Sequence, residues 1–274
     1  MAHNDENPRD GDPRDGDSGD KDLAAAIEAI ALQAGAVIME IYGRDFAVET
    51  KADESPVTEA DEAAEAVIVA ALRALTPDIP VVAEEEVAAG QAPDVGAGPF
   101  WLVDPLDGTR EFISRNGDFT VNIALIRDGD PVLGTVHVPA RDETYTAAGP
   151  GQVTCRRGGG KAQSISARVP ADDGLVAMVS RSHASPETDD FLTSFQIKQR
   201  VDAGSSLKFC RLAEGMADLY PRLGRTMEWD TAAGHAVLAC AGGSVRQIDD
   251  TPLRYGKDGF ENPHFVARGR HNQG

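Results

Sequence analysis

The hexapeptide Asp104-Pro-Leu-Asp107-Gly-Thr109 carries two carboxylates three positions apart, directly after a short apolar stretch. The proline fixes φ and the glycine permits a tight turn, so both acids and the carbonyl oxygen of Leu106 can face one point. These are oxygen ligands, which hard Mg²⁺ prefers and Zn²⁺ does not. The alternative is an ordinary tight turn in which Asp104 caps its own loop.

Two acids elsewhere in the chain could likewise be either metal ligands or ordinary structural residues. Glu84 opens a run of three glutamates directly after the apolar segment 79–83, and such charge at the edge of a core is costly unless a cation compensates it. The alternative for Glu84 is an exposed acidic loop. Asp230 stands just before an alanine-rich helical segment, where it is either a ligand or a helix N-cap.

Other polar residues permit a functional and a structural interpretation. Thr58 and Asp61 have the spacing of a capping box that opens a helix ending at Leu75. His235 lies five positions after Asp230, on a different helical face, so a packing role is favoured over a ligand role. Lys208 and Arg211 are candidates for contact with a phosphate, although basic residues on helices are more often solvated.

The composition limits the possible partners. The chain has 274 residues, of which 41% are hydrophobic, so it can bury a large core as one domain or as two that share a cleft. Its formal net charge is −19, with 45 acidic and 26 basic residues. Such a field repels nucleic acids and anionic membranes, and we expect neither nucleic-acid binding nor stable membrane insertion.

The cysteine count and the N-terminus indicate a cytoplasmic protein. Three cysteines lie far apart without metal-binding spacing, which fits a reducing compartment, and no uninterrupted apolar run reaches the roughly 18 residues of a membrane span. Peripheral contact with the inner face of the membrane is left open. Residues 1–20 contain Pro-Arg-Asp-Gly-Asp twice and almost no aliphatic residue, which predicts a disordered acidic tail.

The remaining chain predicts two units that alternate helices and strands. Apolar residues from Asp22 onward recur at helical spacing to about Gly43. Strand patterns follow at 79–83, 101–104, 119–127 and 132–138, and these segments form a predicted N-terminal unit, 21–150. A C-terminal unit, 165–268, contains a strand at 175–180 and helices at 187–195, 206–216 and 230–241, as in an α/β domain.

Taken together, the motifs resemble a known family. Glu84-Glu85, the hexapeptide 104–109 and Trp229-Asp230 are similar, in order and spacing, to the three signatures of the inositol monophosphatase superfamily of lithium-sensitive phosphatases. The similarity extends over residues 21–268. The longer strings 55–61, 110–126, 204–209, 229–235 and 252–255 resemble its bacterial 3′(2′),5′-bisphosphate nucleotidase branch.

The resemblance implies a fold, a reaction and a set of site residues. The fold would be a five-layered αβαβα sandwich of the α/β class, and the substrate adenosine 3′,5′-bisphosphate, cleaved to AMP and phosphate. Two or three Mg²⁺ ions would bind Glu84, Asp104, the Leu106 carbonyl, Asp107 and Asp230. Thr109 and Asp61 would take the proton of the attacking water, with Thr58 orienting Asp61.

A further set of residues would contact the substrate. Those residues are Glu84, Leu106, Asp107, Gly108, Thr109 and Asp230, with the backbone N–H groups of Gly108 and Thr109 facing the phosphate if a helix starts there.

The carboxylate cluster alone leaves the substrate open. The same metal site would serve an inositol phosphate, fructose 1,6-bisphosphate or histidinol phosphate. A protein of another class, a metal-dependent binder of a phosphorylated ligand without turnover, is a further alternative. Oligomeric state has no signal in the sequence.

Overall fold

The computed structural model describes residues 13–50, 56–181 and 186–270. Its longer helices follow the predicted apolar periodicity. The helices are α1 (Pro13–Tyr42), α2 (Glu59–Leu75), α3 (Glu84–Ala88), α4 (Thr109–Ile113), α5 (Pro186–Leu192), α6 (Leu207–Ala213) and α7 (Glu228–Cys240), with single 3₁₀ turns at Pro139–Arg141 and Asp258–Phe260.

The strands fall into three sheets. A two-stranded pair joins β1 (Val48–Thr50) and β2 (Pro56–Thr58). The large sheet has the order β3-β4-β5-β6-β7-β8-β9, and its strands are β3 (Val81–Ala83), β4 (Phe100–Asp107), β5 (Thr120–Arg127), β6 (Asp130–Val138), β7 (Glu143–Ala147), β8 (Val153–Arg157) and β9 (Gln163–Ser164). The small sheet has the order β11-β10-β12-β14-β13, and its strands are β10 (Leu175–Ser180), β11 (Ile197–Ala203), β12 (Leu219–Arg222), β13 (Ser244–Gln247) and β14 (Phe265–Arg268).

Alternation along the strands of the large sheet gives it two buried faces. Trp101 and Val103 of β4 pack with α1 and α2, whereas Leu102 between them packs on the opposite side with α6 and α7. Because successive side chains of a strand point to opposite faces, one strand contributes to both cores. Helices therefore cover both sides of the large sheet.

The helices α6 and α7 form the middle layer of the molecule. Their apolar side chains belong to one core with β5 and β6 of the large sheet and with Phe265 of the small sheet. The far side of the small sheet packs Leu219 and Val266 against Leu192 of α5. The resulting order, helix, sheet, helix, sheet, helix, confirms the five-layered αβαβα fold.

The first helix begins earlier than the sequence indicated. It starts at Pro13, inside the segment 1–20 that was predicted as a disordered tail; the other tail residues, 1–12, lie outside the described residues. Arg127 donates two 2.7 Å hydrogen bonds to the Asp20 carboxylate, which connects this end of α1 to the large sheet. Local composition did not reveal this distant partner.

One part of α1, Gly19–Tyr42, has the length and apolar composition of a membrane span. Its apolar residues Ile27, Ala31, Ala34 and Ile38 are fully buried against α2 and the large sheet. This burial gives the helix the position of a core helix in a folded domain.

The large sheet extends beyond the predicted N-terminal unit. Strands β8 and β9 continue it to Ser164, and the small sheet begins at Leu175. The division into units 21–150 and 165–268 stays a prediction.

Candidate active site

A cleft of about 230 Å³ opens where the carboxyl ends of β3 and β4 approach those of β10, β11 and β12. Acidic, basic and small polar side chains share its surface. The lining residues include the acids Glu84, Asp107, Glu111 and Asp230, the bases Arg110, Lys208, Arg222 and Arg225, and Gly108, Thr109, Ser205, Ser206, Tyr220 and Thr231. The cleft therefore brings together acids that are up to 146 positions apart in the sequence.

The hexapeptide forms the end of β4 and the start of α4. The pairing register between β4 and β5 shifts between Asp104 and Asp107, so the strand bulges at the motif. Gly108 follows with φ of 91°, a left-handed conformation that favours glycine, and α4 begins at Thr109. The helix start required for the predicted phosphate contact is therefore present.

Two predicted ligands lie in β4 rather than on the cleft surface. The Asp104 side chain is buried, and its Oδ1 accepts a 3.0 Å hydrogen bond from the Leu106 N–H. The Leu106 carbonyl oxygen lies 3.4 Å from Thr109 Oγ1, the hydroxyl that also contacts Asp61. The local contact expected for a turn cap is thus formed by Asp104.

Thr58, Asp61 and Thr109 form one hydrogen-bonded chain at the start of α2. Asp61 Oδ2 accepts hydrogen bonds from the N–H and the hydroxyl of Thr58, each at 2.8 Å. Thr109 Oγ1 donates to the other oxygen, Asp61 Oδ1, at 3.3 Å. The predicted capping box is confirmed, and the same carboxylate reaches the threonine of the cleft.

A buried glutamate holds the turn that carries Glu84. Glu65 of α2 accepts hydrogen bonds of 2.8 and 2.9 Å from the N–H groups of Glu85 and Glu86. Burial raises the pKa of Glu65 to about 7, with a smaller contribution from the charges of Glu86 and Glu84. The two N–H donors oppose that rise and fix the first turn of α3.

Asp230 occupies the third position of α7. Its Oδ2 accepts a 2.9 Å hydrogen bond from the N–H of Met227, the residue before the helix. The predicted N-cap position of Asp230 is therefore wrong: the helix starts two residues earlier, Met227 is the N-cap, and Asp230 bonds back to its N–H while also lining the cleft.

Buried carboxyl groups with raised pKa values characterise this end of the cleft. Burial raises the pKa of Asp230 well above its ordinary value, and the charges of Asp107 and Glu84 raise it further. Burial likewise raises the pKa of Asp107 to about 6, while Lys208 and the Ser206 N–H oppose the rise. Burial is therefore the main reason why these two acids hold a proton more tightly than usual, and repulsion between the acids adds to it.

A buried lysine faces the acids. Lys208 has 3% of its surface exposed and donates hydrogen bonds to the carbonyls of Ala203 and Ser205, at 3.3 and 2.5 Å. Burial lowers its pKa to about 8, Arg222 lowers it further, and Asp107 opposes the change. Its ammonium group therefore adds a positive charge to the wall of the cleft.

The donor chemistry fits a hard divalent cation. Within residues 13–50, 56–181 and 186–270, no three His, Cys, Asp or Glu side chains are gathered closely enough to form a ready-made metal centre. Glu84, Asp107 and Asp230 nevertheless share the cleft: the charge of Glu84 raises the pKa of Asp107, and the charges of Asp107 and Glu84 raise the pKa of Asp230, an effect that a bound cation would relieve. All are oxygen donors, the type that Mg²⁺ prefers.

Two residues considered from the sequence lie outside the cleft. Arg211 pairs with Glu143 and Glu214, each at 2.9 Å, in a largely buried ion-pair cluster of the middle layer, so it is not the solvated base that was favoured, and it does not line the cleft where a phosphate contact was considered. His235 packs as expected: its Nδ1 lies 3.0 Å from the Tyr255 hydroxyl, and burial lowers its pKa to about 3.

Arg222 is a basic residue of the cleft that was not predicted from the sequence. It ends β12, a short strand that the sequence patterns did not reveal. Its Nε is buried and has no hydrogen-bond partner among the described residues. The sequence could have indicated Arg222 only through its position at the end of a strand. Because β12 was not predicted, that position was not recognised.

Comparison with known proteins gives a consistent family. The model of the inositol monophosphatase family matches residues 20–273. The chain is 47% identical over 241 residues to the 3′(2′),5′-bisphosphate nucleotidase CysQ of Escherichia coli K12, covering 86% of this chain and 95% of the relative. It is 35% identical over 248 residues to CysQ of Haemophilus influenzae, covering 88% and 90%.

Solved structures agree with the sequence relatives. CysQ from Bacteroides thetaiotaomicron has a TM-score of 0.76 and 38% identity, with 93% of this chain and 98% of that chain covered. An inositol monophosphatase from Thermotoga maritima has a TM-score of 0.72 and 25% identity, with 90% and 92% covered.

Proposed function

The chain belongs to the inositol monophosphatase family, and from that premise we propose that it is a 3′(2′),5′-bisphosphate nucleotidase that cleaves the 3′-phosphate of adenosine 3′,5′-bisphosphate. Family membership implies a divalent metal cofactor, typically Mg²⁺. The products would be AMP and phosphate, which links the reaction to sulfate assimilation and nucleotide recycling. The alignment covers 95% of the E. coli CysQ sequence, so the similarity extends over the full length of that enzyme and supports the same complete reaction for this chain.

The observation that carries the proposal is the charge division of the cleft. Glu84, Asp107 and Asp230 lie in the same cleft as Lys208 and Arg222. The acids suit cations that hold the scissile phosphate, and the bases suit a second phosphate on the same substrate. Arg222 Nε, which has no hydrogen-bond partner within the described part of the chain, is a further donor for such a group.

The residues that would hold two or three Mg²⁺ ions are Glu84, Asp104, the Leu106 carbonyl, Asp107 and Asp230. When bound, Mg²⁺ neutralises the phosphate and lowers the pKa of a coordinated water.

The chain's own residues would position the substrate and take up the proton. Thr109 Oγ1 stands in the cleft and donates to Asp61, so it can accept the proton of the attacking water while it passes its own to Asp61 Oδ1. Thr58 holds the other Asp61 oxygen through two hydrogen bonds and so fixes its orientation. Gly108 and Thr109, at the start of α4, would face the phosphate with their N–H groups.

The state of the cysteines and the packing of α1 support a cellular location, and the cleft supports a class of substrate. We propose a cytoplasmic enzyme that acts on a small phosphorylated nucleotide, since the three cysteines are free and buried and α1 packs as a core helix.

Phosphate release tests the proposal. With Mg²⁺ present, kcat/KM would be compared for adenosine 3′,5′-bisphosphate, inositol 1-phosphate and fructose 1,6-bisphosphate. A preference of at least tenfold for the nucleotide is expected. Comparable or reversed rates would assign the site to a sugar phosphate, and tight binding without release from any substrate would identify a binder.

A further inference from the structure

A fully buried carboxylate lies between the two sheets, outside the predicted site. Asp118, in the loop between α4 and β5, is 0% exposed. Its carboxylate pairs with Arg141 and with Arg181 and accepts a 3.2 Å hydrogen bond from the Gly204 N–H. We call these four residues the Asp118 clamp.

The clamp connects elements of both sheets. Arg141 ends the 3₁₀ turn that follows β6 of the large sheet. Arg181 follows β10 and Gly204 follows β11, both in the small sheet. Charge-assisted hydrogen bonds of this kind are stronger than neutral ones, and they are strongest where water is excluded. Asp118 therefore links the part of the large sheet that borders the cleft to the part of the small sheet that borders it.

The segment held by the clamp leads directly to a proposed metal ligand. Two residues after Gly204, the Ser206 N–H donates a 2.5 Å hydrogen bond to Asp107 Oδ2. The Ser206 hydroxyl bonds to the Asn122 side chain at 2.7 Å. Lys208 is held by the carbonyls of Ala203 and Ser205. Residues 203–206 thus set the orientation of one acid and one base of the cleft.

Packing leaves little freedom at the held point. A Cβ added to Gly204 would lie 2.6 Å from Glu111 Cγ and 2.8 Å from the Asp118 carbonyl oxygen. Such distances require the loop or its neighbours to shift. The absence of a side chain is what allows the Gly204 backbone to reach the Asp118 carboxylate.

From these contacts we propose that Asp118 is a positioning residue, which acts on the reaction through Gly204 and Ser206 by fixing the orientation of Asp107 and Lys208. The inference rests on the proposed function for its catalytic consequence. Its structural consequence, a fixed Ser206–Asp107 hydrogen bond, is independent of the substrate.

The test compares Asp118→Asn with a matched variant, Asp218→Asn. Asp218 is also buried, and it accepts two 2.8 Å hydrogen bonds from Arg168 and one from the Val176 N–H. That cluster lies at the amino end of β10, whereas the Asp118 clamp lies at its carboxyl end. Both substitutions remove a buried charge paired with arginine, so both should lower the melting temperature.

Only Asp118→Asn should alter the site. We expect kcat/KM to fall at least tenfold, the Mg²⁺ concentration for half-maximal activity to rise, and the amides of residues 204–208 to exchange faster with deuterated solvent. Equal losses in both variants, or wild-type exchange at 204–208 in Asp118→Asn, would overturn the proposal.

A milder variant keeps the test decisive if Asp118→Asn does not fold. Arg141→Gln removes one arm of the clamp from a side chain that is 38% exposed and does not line the cleft. Faster exchange at 204–208 and weaker Mg²⁺ binding by calorimetry are expected, and unchanged values would contradict the clamp. If wild-type protein releases no phosphate from any substrate, the proposed function fails, while amide exchange and Mg²⁺ binding still decide the role of Asp118.

Discussion

Thr109 Oγ1 donates a 3.3 Å hydrogen bond to Asp61 Oδ1, although 48 positions separate the two residues. The contact joins the start of α4 to the start of α2. It places a buried carboxylate within hydrogen-bond distance of the hydroxyl in the cleft, as the proposed proton transfer requires.

Thr109→Val should lower kcat by about a hundredfold or more, because loss of a positioned proton-transfer group typically costs 10²–10⁴-fold. Valine keeps the branched shape of threonine and replaces the hydroxyl with a methyl group, which cannot transfer a proton. The matched control is Thr109→Ser, which retains the hydroxyl and should keep most of the activity. Steady-state phosphate release measures both, and equal rates for the two variants would contradict a proton-transfer role.

Asp107→Asn should abolish Mg²⁺-dependent turnover and leave the fold intact, since a neutral amide is a poor Mg²⁺ ligand. Burial raises the pKa of Asp107, so a neutral side chain there should not destabilise the protein. We expect a melting temperature in EDTA equal to or above that of wild type. The exposed Asp130→Asn variant is the control, and near-normal turnover by folded Asp107→Asn would refute the metal scheme.

Arg222→Gln should raise KM for adenosine 3′,5′-bisphosphate more than for a nucleoside 3′-monophosphate. The guanidinium would contact the second phosphate, and a lost charge-assisted hydrogen bond costs about 1.5–3 kcal/mol, roughly ten- to a hundredfold in affinity. Steady-state kinetics on the two substrates gives the comparison. Equal losses on both would place Arg222 away from the second phosphate.

His235 should make the protein less stable in acid. Its pKa in the folded state is lowered to about 3, whereas an unfolded histidine titrates near 6.5, so its contribution to stability is complete above pH 6.5 and is lost as the pH falls. At pH 5 the free energy of unfolding should be lower by on the order of 2 kcal/mol, because pH 5 lies about 1.5 units below the pKa of an unfolded histidine.

The measurement is urea unfolding of wild type and His235→Asn at pH 7.5 and pH 5. Asparagine retains a polar atom near Tyr255 but does not titrate, so the difference in unfolding free energy between the two pH values should shrink. His264→Asn, at an exposed position, is the control. An unchanged pH dependence in His235→Asn would show that the buried imidazole is not the source.

Gly134→Ala should destabilise the fold by about 1–3 kcal/mol, the usual cost of overpacking a core. The added Cβ would lie 2.7 Å from Ala236 Cβ and 2.8 Å from the Ala233 carbonyl oxygen, so β6 and α7 would have to separate. Gly98→Ala is the matched control, because nothing lies within 4 Å of its added Cβ. Urea unfolding compares the two, and equal stability would contradict the close approach.

Local signals in the sequence were sufficient for much of the fold. The capping pair Thr58 and Asp61 is three positions apart, and β5 and β6 are two mainly apolar runs joined by a short turn that contains Gly129, so neighbouring residues determine both. Strand β11 was missed because its sequence, Ile-Lys-Gln-Arg-Val-Asp-Ala, is polar. It is an edge strand, where charged residues protect against aggregation and obscure the strand pattern.

The contacts that complete the site are distant in sequence. Asp107 receives its hydrogen bond from Ser206, 99 positions later, and Arg211 turns away from the cleft because Glu143, 68 positions earlier, binds it. Helical or strand periodicity in the sequence does not indicate pairs of residues that are so far apart. Composition and spacing identified the acids, whereas the arrangement of the bases depended on tertiary packing.

The position of α7 between the two sheets has a consequence for synthesis on the ribosome. Val136 and Leu102 of the large sheet are covered by α6 and α7, which are made more than sixty residues later. A nascent chain that has completed β6 therefore presents an uncovered apolar face, and such faces are where unfinished chains aggregate or recruit chaperones. Because α7 also carries Asp230, the docking of α7 covers this apolar face and brings Asp230 to the cleft in the same step.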